Sequence, residues 1–265
     1  MSAASLVVRL GDLENGAAVR NSGSFADLAL YGGRIPSVLA RALALFCVDT
    51  DEHLVAVTYD DGPGADTPRL LDRLAERGAV ATFFVLAEQA EQHPELVRRI
   101  VDEGHELALH GVDHRSLREY GPWAGVRKVR EARRRVERIA GIRVRRYRPP
   151  FGEYTTAQAL GLRLSGLDVV IWSADAVDWR DDDGDAVADR AIAALHPGAI
   201  LLLHDHRGDP ETLRPDEALP AFDRVAVLDR LLDAATAAGY GTATVGGLSE
   251  RHSNVRSLAR FSRAD

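Results

Sequence analysis

Two adjacent carboxylates, Asp60 and Asp61, end an apolar run from Leu54 to Val57 and precede a Gly62-Pro63 turn signal. Neighbouring like charges at the end of a buried strand oppose each other's ionisation, so the pair calls for a cation. Either one carboxylate holds a metal ion while the other serves as a base, or the pair is a solvated Asp-Asp turn. His110 and His114 give a second signal, since on a helical turn an i, i+4 pair points both imidazoles at one ion. Taken alone, that pair also reads as two solvated histidines. With a carboxylate from the first strand it becomes a two-His-one-carboxylate set, which leaves positions for water and substrate. Further polar residues stand where apolar runs stop: Arg148 before Pro149-Pro150, Asp175 and Asp178 after Ile171-Trp172, and His204-Asp205 after Ile200–Leu203.

The elements that must carry these residues follow from periodicity. Strands are expected at Leu54–Tyr59, Ala79–Leu86, Glu106–His110, Asp168–Trp172, Ile200–His204 and Gly241–Val245. Helices are expected between them. Thr67 caps one that opens on Pro68 and stops at Gly78, and others span Pro94–Asp102, Trp123–Ala140, Ala157–Leu164, Ala186–Leu195 and Val225–Ala238. Repeated β–α–β order with short links implies a parallel sheet with helices outside, open or closed into a barrel. Ligands in such folds bind at the C-terminal ends of the strands, where the polar residues gather. Before this core, residues 1–34 read as loop apart from a short strand at Leu6–Leu10, and Pro36 opens a helix from Ser37 to Phe46. The tail from Arg251 either frays or docks.

Composition narrows the class. The 265 residues are 46% apolar, enough for a core, and the net charge of −7 argues against a general nucleic-acid binder. The arginine run in 123–140 reads as a solvated helix face rather than a nucleic-acid site. Cys47 is the only cysteine, so an intrachain disulfide and a thiolate metal cluster are excluded. The first ten residues lack a secretory pattern, and the run from Val38 to Val48 is too short to span a membrane. The expectation is a cytoplasmic protein with no membrane partner.

Taken in order, these residues resemble the NodB-type polysaccharide deacetylases, carbohydrate esterase family 4. The matching motifs are Thr58-Tyr59-Asp60-Asp61-Gly62, His110-Gly111-Val112-Asp113-His114, Arg148-Pro149-Pro150-Phe151-Gly152, Asp175-Ala176-Val177-Asp178-Trp179 and Leu202-Leu203-His204. The resemblance implies a distorted (β/α) barrel of seven strands over residues 51–250, an N-terminal extension (1–50) packed on it, and a C-terminal tail (251–265). It implies that Asp61, His110 and His114 hold a divalent ion, commonly Zn2+, with Co2+, Ni2+, Mn2+ or Fe2+ as other candidates. Asp60 would be the general base, Arg148 its orienting partner, and His204 the general acid, tuned by Asp175. Phe151, Asp178, Trp179 and Leu202 would shape the substrate pocket, Leu202 facing the acyl methyl. Gly111 departs from the Ser or Thr usual in the family and puts the shape of the metal loop in question.

The function so implied is removal of an N-acetyl group from an amino-sugar-containing glycan or small metabolite. A deformylase or ureide amidohydrolase is the enzymatic rival, and an inactive carbohydrate-binding module the non-enzymatic one. Of the loops beside the motifs, the acidic run 181–185 reads as a solvated turn, and 207–220 is a candidate for substrate recognition. His105 and Cys47 read as structural, and Trp172 as core.

Overall fold

Along strand Leu54–Asp60, Val55, Val57 and Tyr59 pack outward with the helices, while Ala56 packs inward among the residues that fill the barrel. That alternation carries Thr58 and Asp60 to the inner face, where apolar neighbours give way to polar ones. The computed structural model describes residues 6–9, 20–21, 44–207 and 220–257. Strands β1 (Leu6–Arg9), β2 (Arg20–Asn21) and β3 (Ala44–Asp49) come first. There follow β4 (Leu54–Asp60), α1 (Thr67–Glu76), β5 (Ala81–Leu86), α2 (Ala87–Gln92), α3 (Pro94–Asp102) and β6 (Glu106–Gly111). Next are α4 (Pro122–Ala140), β7 (Arg146–Tyr147), α5 (Thr156–Leu164), β8 (Asp168–Val169), β9 (Ala174–Asp175) and α6 (Gly184–Ala193). Finally come β10 (Ile200–His204), α7 (Arg224–Ala237), β11 (Gly241–Thr242), α8 (Val245–Arg251) and β12 (Ser253–Ser257).

Seven parallel strands in the order β8-β7-β6-β5-β4-β10-β9 curl into a half-barrel, and the short β11 pairs beside β4. This is the seven-stranded distorted (β/α) barrel that the sequence implied. A smaller antiparallel sheet, β2-β1-β12-β3, draws on both ends of the chain. Its strand β3 is tied to the barrel twice. Ile171 N donates to Leu45 O at 2.8 Å, and Val48 N donates to Gly198 O at 3.0 Å.

Several local expectations are corrected. Residues 44–46 belong to strand β3, not to a helix running from Ser37, because the run Ala44–Val48 gains a ladder partner in β12; residues 37–43 lie outside the described ones. Thr67 is not a cap. Asp66 takes the N-cap position, and the buried Thr67 hydroxyl donates to Asp205 Oδ2 at 2.5 Å while accepting from Gly64 N at 2.7 Å. Residues 241–245 split into the short β11 and the start of α8, and 253–257 dock as β12. Helix α8 closes the N-terminal end of the barrel. There Glu106 accepts from Arg146, from Thr82 Oγ1 at 3.1 Å and from Gly246 N at 2.7 Å, so the buried charges are paired and hydrogen-bonded.

Candidate active site

Every polar residue singled out in the five motifs lies at or just beyond the C-terminal end of a strand. Register brings two of them side by side. In the parallel pair β10–β4, His204 stands opposite Asp60 and Leu202 opposite Thr58. Adjacent strands lie about 4.8 Å apart, so base and acid candidates share one rim by construction.

Asp60 and Asp61 do not simply alternate. Asp61 adopts φ +76, a conformation that non-glycine residues take up at a cost and that recurs at functional sites. The turn gives each carboxylate its own partner. Asp60 Oδ1 accepts from Arg148 Nη1 at 2.7 Å. Asp61 Oδ1 lies 3.2 Å from His110 Nε2 and 3.3 Å from His114 Nε2. The oxygen and the two ring nitrogens form a cluster that could hold a metal ion.

The chemistry of that donor set fits a cation. His110 Nδ1 lies 2.8 Å from the Arg148 carbonyl oxygen, a contact that requires Nδ1–H and leaves the neutral ring's Nε2 as a lone pair. That lone pair faces a carboxylate oxygen, so two acceptors meet and a positive ion between them resolves the conflict. Burial opposes ionisation of Asp61, and positive charge placed at the His114 and His110 rings outweighs it and holds its carboxyl well below the usual range. Burial lowers His114, which keeps its ring neutral and able to ligate. The two histidines do not sit on a helical turn as the spacing suggested. His110 is in β6, and His114 follows a bend at Gly111, whose φ is +150. A Cβ on Gly111 would stand 2.9 Å from the Asp113 carbonyl oxygen, so this loop needs the glycine that departs from the family pattern.

Arg148 is fully buried. Its Nη1 also donates to Thr58 Oγ1 at 2.7 Å, its Nη2 donates to Ile171 O at 3.3 Å, and its guanidinium lies 4.0 Å from the centre of the Phe84 ring. Thr58 in turn donates to Leu201 O at 2.6 Å, so the orienting arginine is itself held on several sides. Trp172 is half-buried and packs against the core, as expected, with its ring 5.7 Å from that guanidinium.

The partner of His204 is Asp178, not Asp175. Asp178 Oδ1 lies 2.7 Å from His204 Nδ1, and its Oδ2 accepts from His204 N at 2.8 Å and from Arg224 Nη1 at 3.2 Å. Asp175 is instead turned to its own loop, with Oδ1 accepting from Val177 N at 2.8 Å. Between the two, Val177 at φ +55 folds the chain back toward β10. Burial works against the charged imidazole, but the Asp178 carboxylate outweighs it and raises His204 to about 9. Burial raises Asp175, while the Val177 N–H partly offsets it.

Leu202 is buried and, by alternation with His204, faces the inner side of the sheet beside Thr58 and Asp175. The Phe151 ring meets His114 edge-on at 4.4 Å, on a 3-10 turn where Phe151 has φ +58. Trp179 is 38% exposed at the rim, under the Arg180 guanidinium. The acidic run does structural work: Asp183 caps α6, and Asp182 pairs with Arg190 at 2.8 Å. Residues 208–219 lie outside the described ones. As expected, His105 is structural, accepting from Ala81 N at 3.2 Å, and Cys47 is buried.

Sequence reasoning named Thr58 and Asp205 without giving them a role, and did not name Arg224. Thr58 carried a signal, since strand alternation puts it on the Asp60 face. Arg224 carried none, because it reaches the site from the start of α7. Asp205 sits directly under Gly62, where an added Cβ would collide with its carboxylate at 2.2 Å. Burial raises Asp205 to about 7, against the Thr67 hydrogen bond.

Fold and site together define a (β/α) barrel with a candidate Asp–His–His metal centre flanked by a carboxylate and an imidazole. Residues 48–170 match the family model described as polysaccharide deacetylase. A chitooligosaccharide deacetylase of Sinorhizobium fredii is 38% identical over 188 residues, 70% of this chain and 87% of the relative. A peptidoglycan-N-acetylglucosamine deacetylase of Bacillus cereus is 34% identical over 58% of this chain and 56% of its own length. A crystal structure of a peptidoglycan N-acetylglucosamine deacetylase superposes with a TM-score of 0.70 at 29% identity, covering 79% of this chain and 94% of that one. The family 4 carbohydrate esterase from Streptomyces lividans, solved with acetate, gives 0.65 at 27% identity over 77% and 97%. The chain belongs to the polysaccharide deacetylase family.

Proposed function

We propose that this protein is a metal-dependent N-deacetylase that hydrolyses the acetamido group of an amino-sugar substrate, with an oligomer of N-acetylglucosamine as the leading candidate. The observation that carries the reading is the pairing of Asp60 with Arg148 and of His204 with Asp178 on either side of the Asp61–His110–His114 cluster. Binding alone requires no such opposed set. Family members named for chitooligosaccharides and peptidoglycan support the substrate class.

Asp61, His110 and His114 would hold the divalent ion, and the two-nitrogen, one-oxygen donor set suits Zn2+. Bound there, the ion supplies Lewis-acid polarisation and lowers the pKa of a water from 15.7 to about 7. The chain's own groups supply the rest. Asp60, fixed by Arg148, takes a proton from the attacking water as oxygen bonds to the acetyl carbon. His204, kept cationic by Asp178, gives a proton to the nitrogen as the carbon–nitrogen bond breaks. Amide and water thus become acetate and amine. Leu202 supplies an apolar wall suited to the acetyl methyl.

The test measures bound metal and then amine release from N-acetylchitooligosaccharides, free N-acetylglucosamine, and formylated and ureide analogues. Release of acetate from the oligomers with one divalent ion bound is the expected result. Turnover confined to a formamide or ureide would keep the machinery and overturn the substrate. A protein that binds no divalent ion would overturn the mechanism.

A further inference from the structure

The net charge of −7 averages over an uneven surface. Helix α4 alone carries seven basic side chains against two glutamates. On α1, by contrast, Arg69, Arg73 and Arg77 pair with Asp223, Asp229 and Asp233. Among the described residues, Arg127, Arg130, Arg134 and Arg143 have no such ion pair. Three of these four line one groove of about 530 Å³ between the end of α4 and the turn at Ser165.

The same face exposes apolar side chains. Of the five exposed large hydrophobic residues among those described, Trp123, Ile142, Leu160 and Leu164 lie here, with Trp123 70% and Leu164 77% exposed. The stripe is continuous. Trp123, Arg127, Arg130 and Arg134 follow spacings of four, three and four on α4, which place them on one helix face. Leu160 and Leu164 share a face of α5 by the same rule. The Trp123 ring bridges the two helices, since a Cβ built on Gly161 would stand 3.7 Å from its Cζ3. Isolated surface apolar residues are ordinary, but a cluster bordered by unpaired arginines is not.

We propose that the α4–α5 face docks the protein peripherally on a bilayer containing anionic phospholipid. Guanidinium groups find phosphate headgroups, and Trp123 and Leu164 enter the interface beside them. A soluble polyanion would match the arginines but leave the apolar side chains in water. The overall acidic balance that argued against a nucleic-acid binder does not describe this face. Helix α4 packs on the outer side of the sheet through Val126, Val129, Ala132 and Val136, opposite the inner face that carries Thr58 and Asp60. No helix among the described residues is long and apolar enough to cross a membrane, so the contact is superficial.

The test is cosedimentation of the full-length protein with vesicles of phosphatidylglycerol and phosphatidylcholine, against phosphatidylcholine alone. Two variants are compared with wild type: the triple Arg127→Gln/Arg130→Gln/Arg134→Gln and the double Trp123→Ser/Leu164→Ser. Both should keep wild-type turnover on a soluble chitooligosaccharide, which reports folding. Wild type should bind only the anionic vesicles, and less as salt rises. Each arginine near such a surface is worth roughly a factor of five, so the triple variant should lose on the order of a hundredfold in partitioning. The double variant should lose binding as well. Failure of wild type to bind anionic vesicles would overturn the proposal. Binding to polyphosphate with no effect of the Trp123/Leu164 change would overturn it in favour of a soluble polyanion.

Discussion

Replacing Asp178 with Asn tests the assignment of His204 as the acid. Asp178 Oδ1 stands 2.7 Å from His204 Nδ1, and its charge is the largest influence opposing the burial that would otherwise keep the ring neutral. The wild-type ring is raised from 6.5 to about 9, a preference for the imidazolium of roughly 3 kcal/mol. Because the pKa is raised, the acid form persists up to about pH 9, and kcat/KM should fall only above it. In Asp178→Asn the residual charge of Arg224 also opposes the imidazolium, so the alkaline limb should move to the unperturbed value of about 6.5 or below. At pH 8 the protonated fraction then drops roughly thirtyfold, while near pH 5.5 the two enzymes differ little in protonation. The amide nitrogen would face His204 N–H and Arg224, which lowers stability too, so the full pH profile is the readout rather than one rate. Asp175→Asn is the control and should leave the limb in place. An unmoved limb in Asp178→Asn, or a limb moved only by Asp175→Asn, would refute the reasoning.

Asp60→Asn should retain bound metal, since Asp60 is not in the ligand cluster, and lose about 10²–10⁴-fold in turnover; metal analysis and acetate release measure both. His114→Ala removes one of the three candidate ligands, so metal content after dialysis should fall below stoichiometric, with activity lost in parallel. Glu106→Leu leaves the buried Arg146 with only Ser249 and the exposed Glu250, and should lower the free energy of unfolding by about 3 kcal/mol in urea, while metal binding at the opposite end of the barrel persists. Full stability in that variant would show that the Glu106 network is not needed to close the barrel.

The parallel fold was legible because β-α-β order forces it, and the candidate ligands because each motif ends a strand. Apolar runs gave β4, β5, β6 and β10 nearly to the residue. Prediction failed where a segment's environment, not its pattern, decides its structure. Residues 44–46 became strand because β12 lies beside them, and no periodicity in Ala44–Val48 announces a partner two hundred residues away. Thr67 looked like a cap but answers a buried carboxylate from the far end of the chain.

By itself the sequence determined which groups are available: a carboxylate pair, two histidines, an arginine and a late histidine, each at the end of a strand on a parallel sheet. Those are properties of local pattern, and strand direction alone collects them on one rim. Tertiary structure decided who faces whom. Asp175 and Asp178 are three residues apart, a spacing too short to rank them, and the left-handed turn at Val177 hands His204 to Asp178. Arg224 joins that pair from another helix, where no spacing points to it. The φ of +76 at Asp61 likewise separates two neighbours that sequence shows only as a pair, and gives one to the histidines and the other to Arg148. Partners in a buried charge network are set by distances of a few ångströms across the fold, and those distances are fixed by packing rather than by position along the chain.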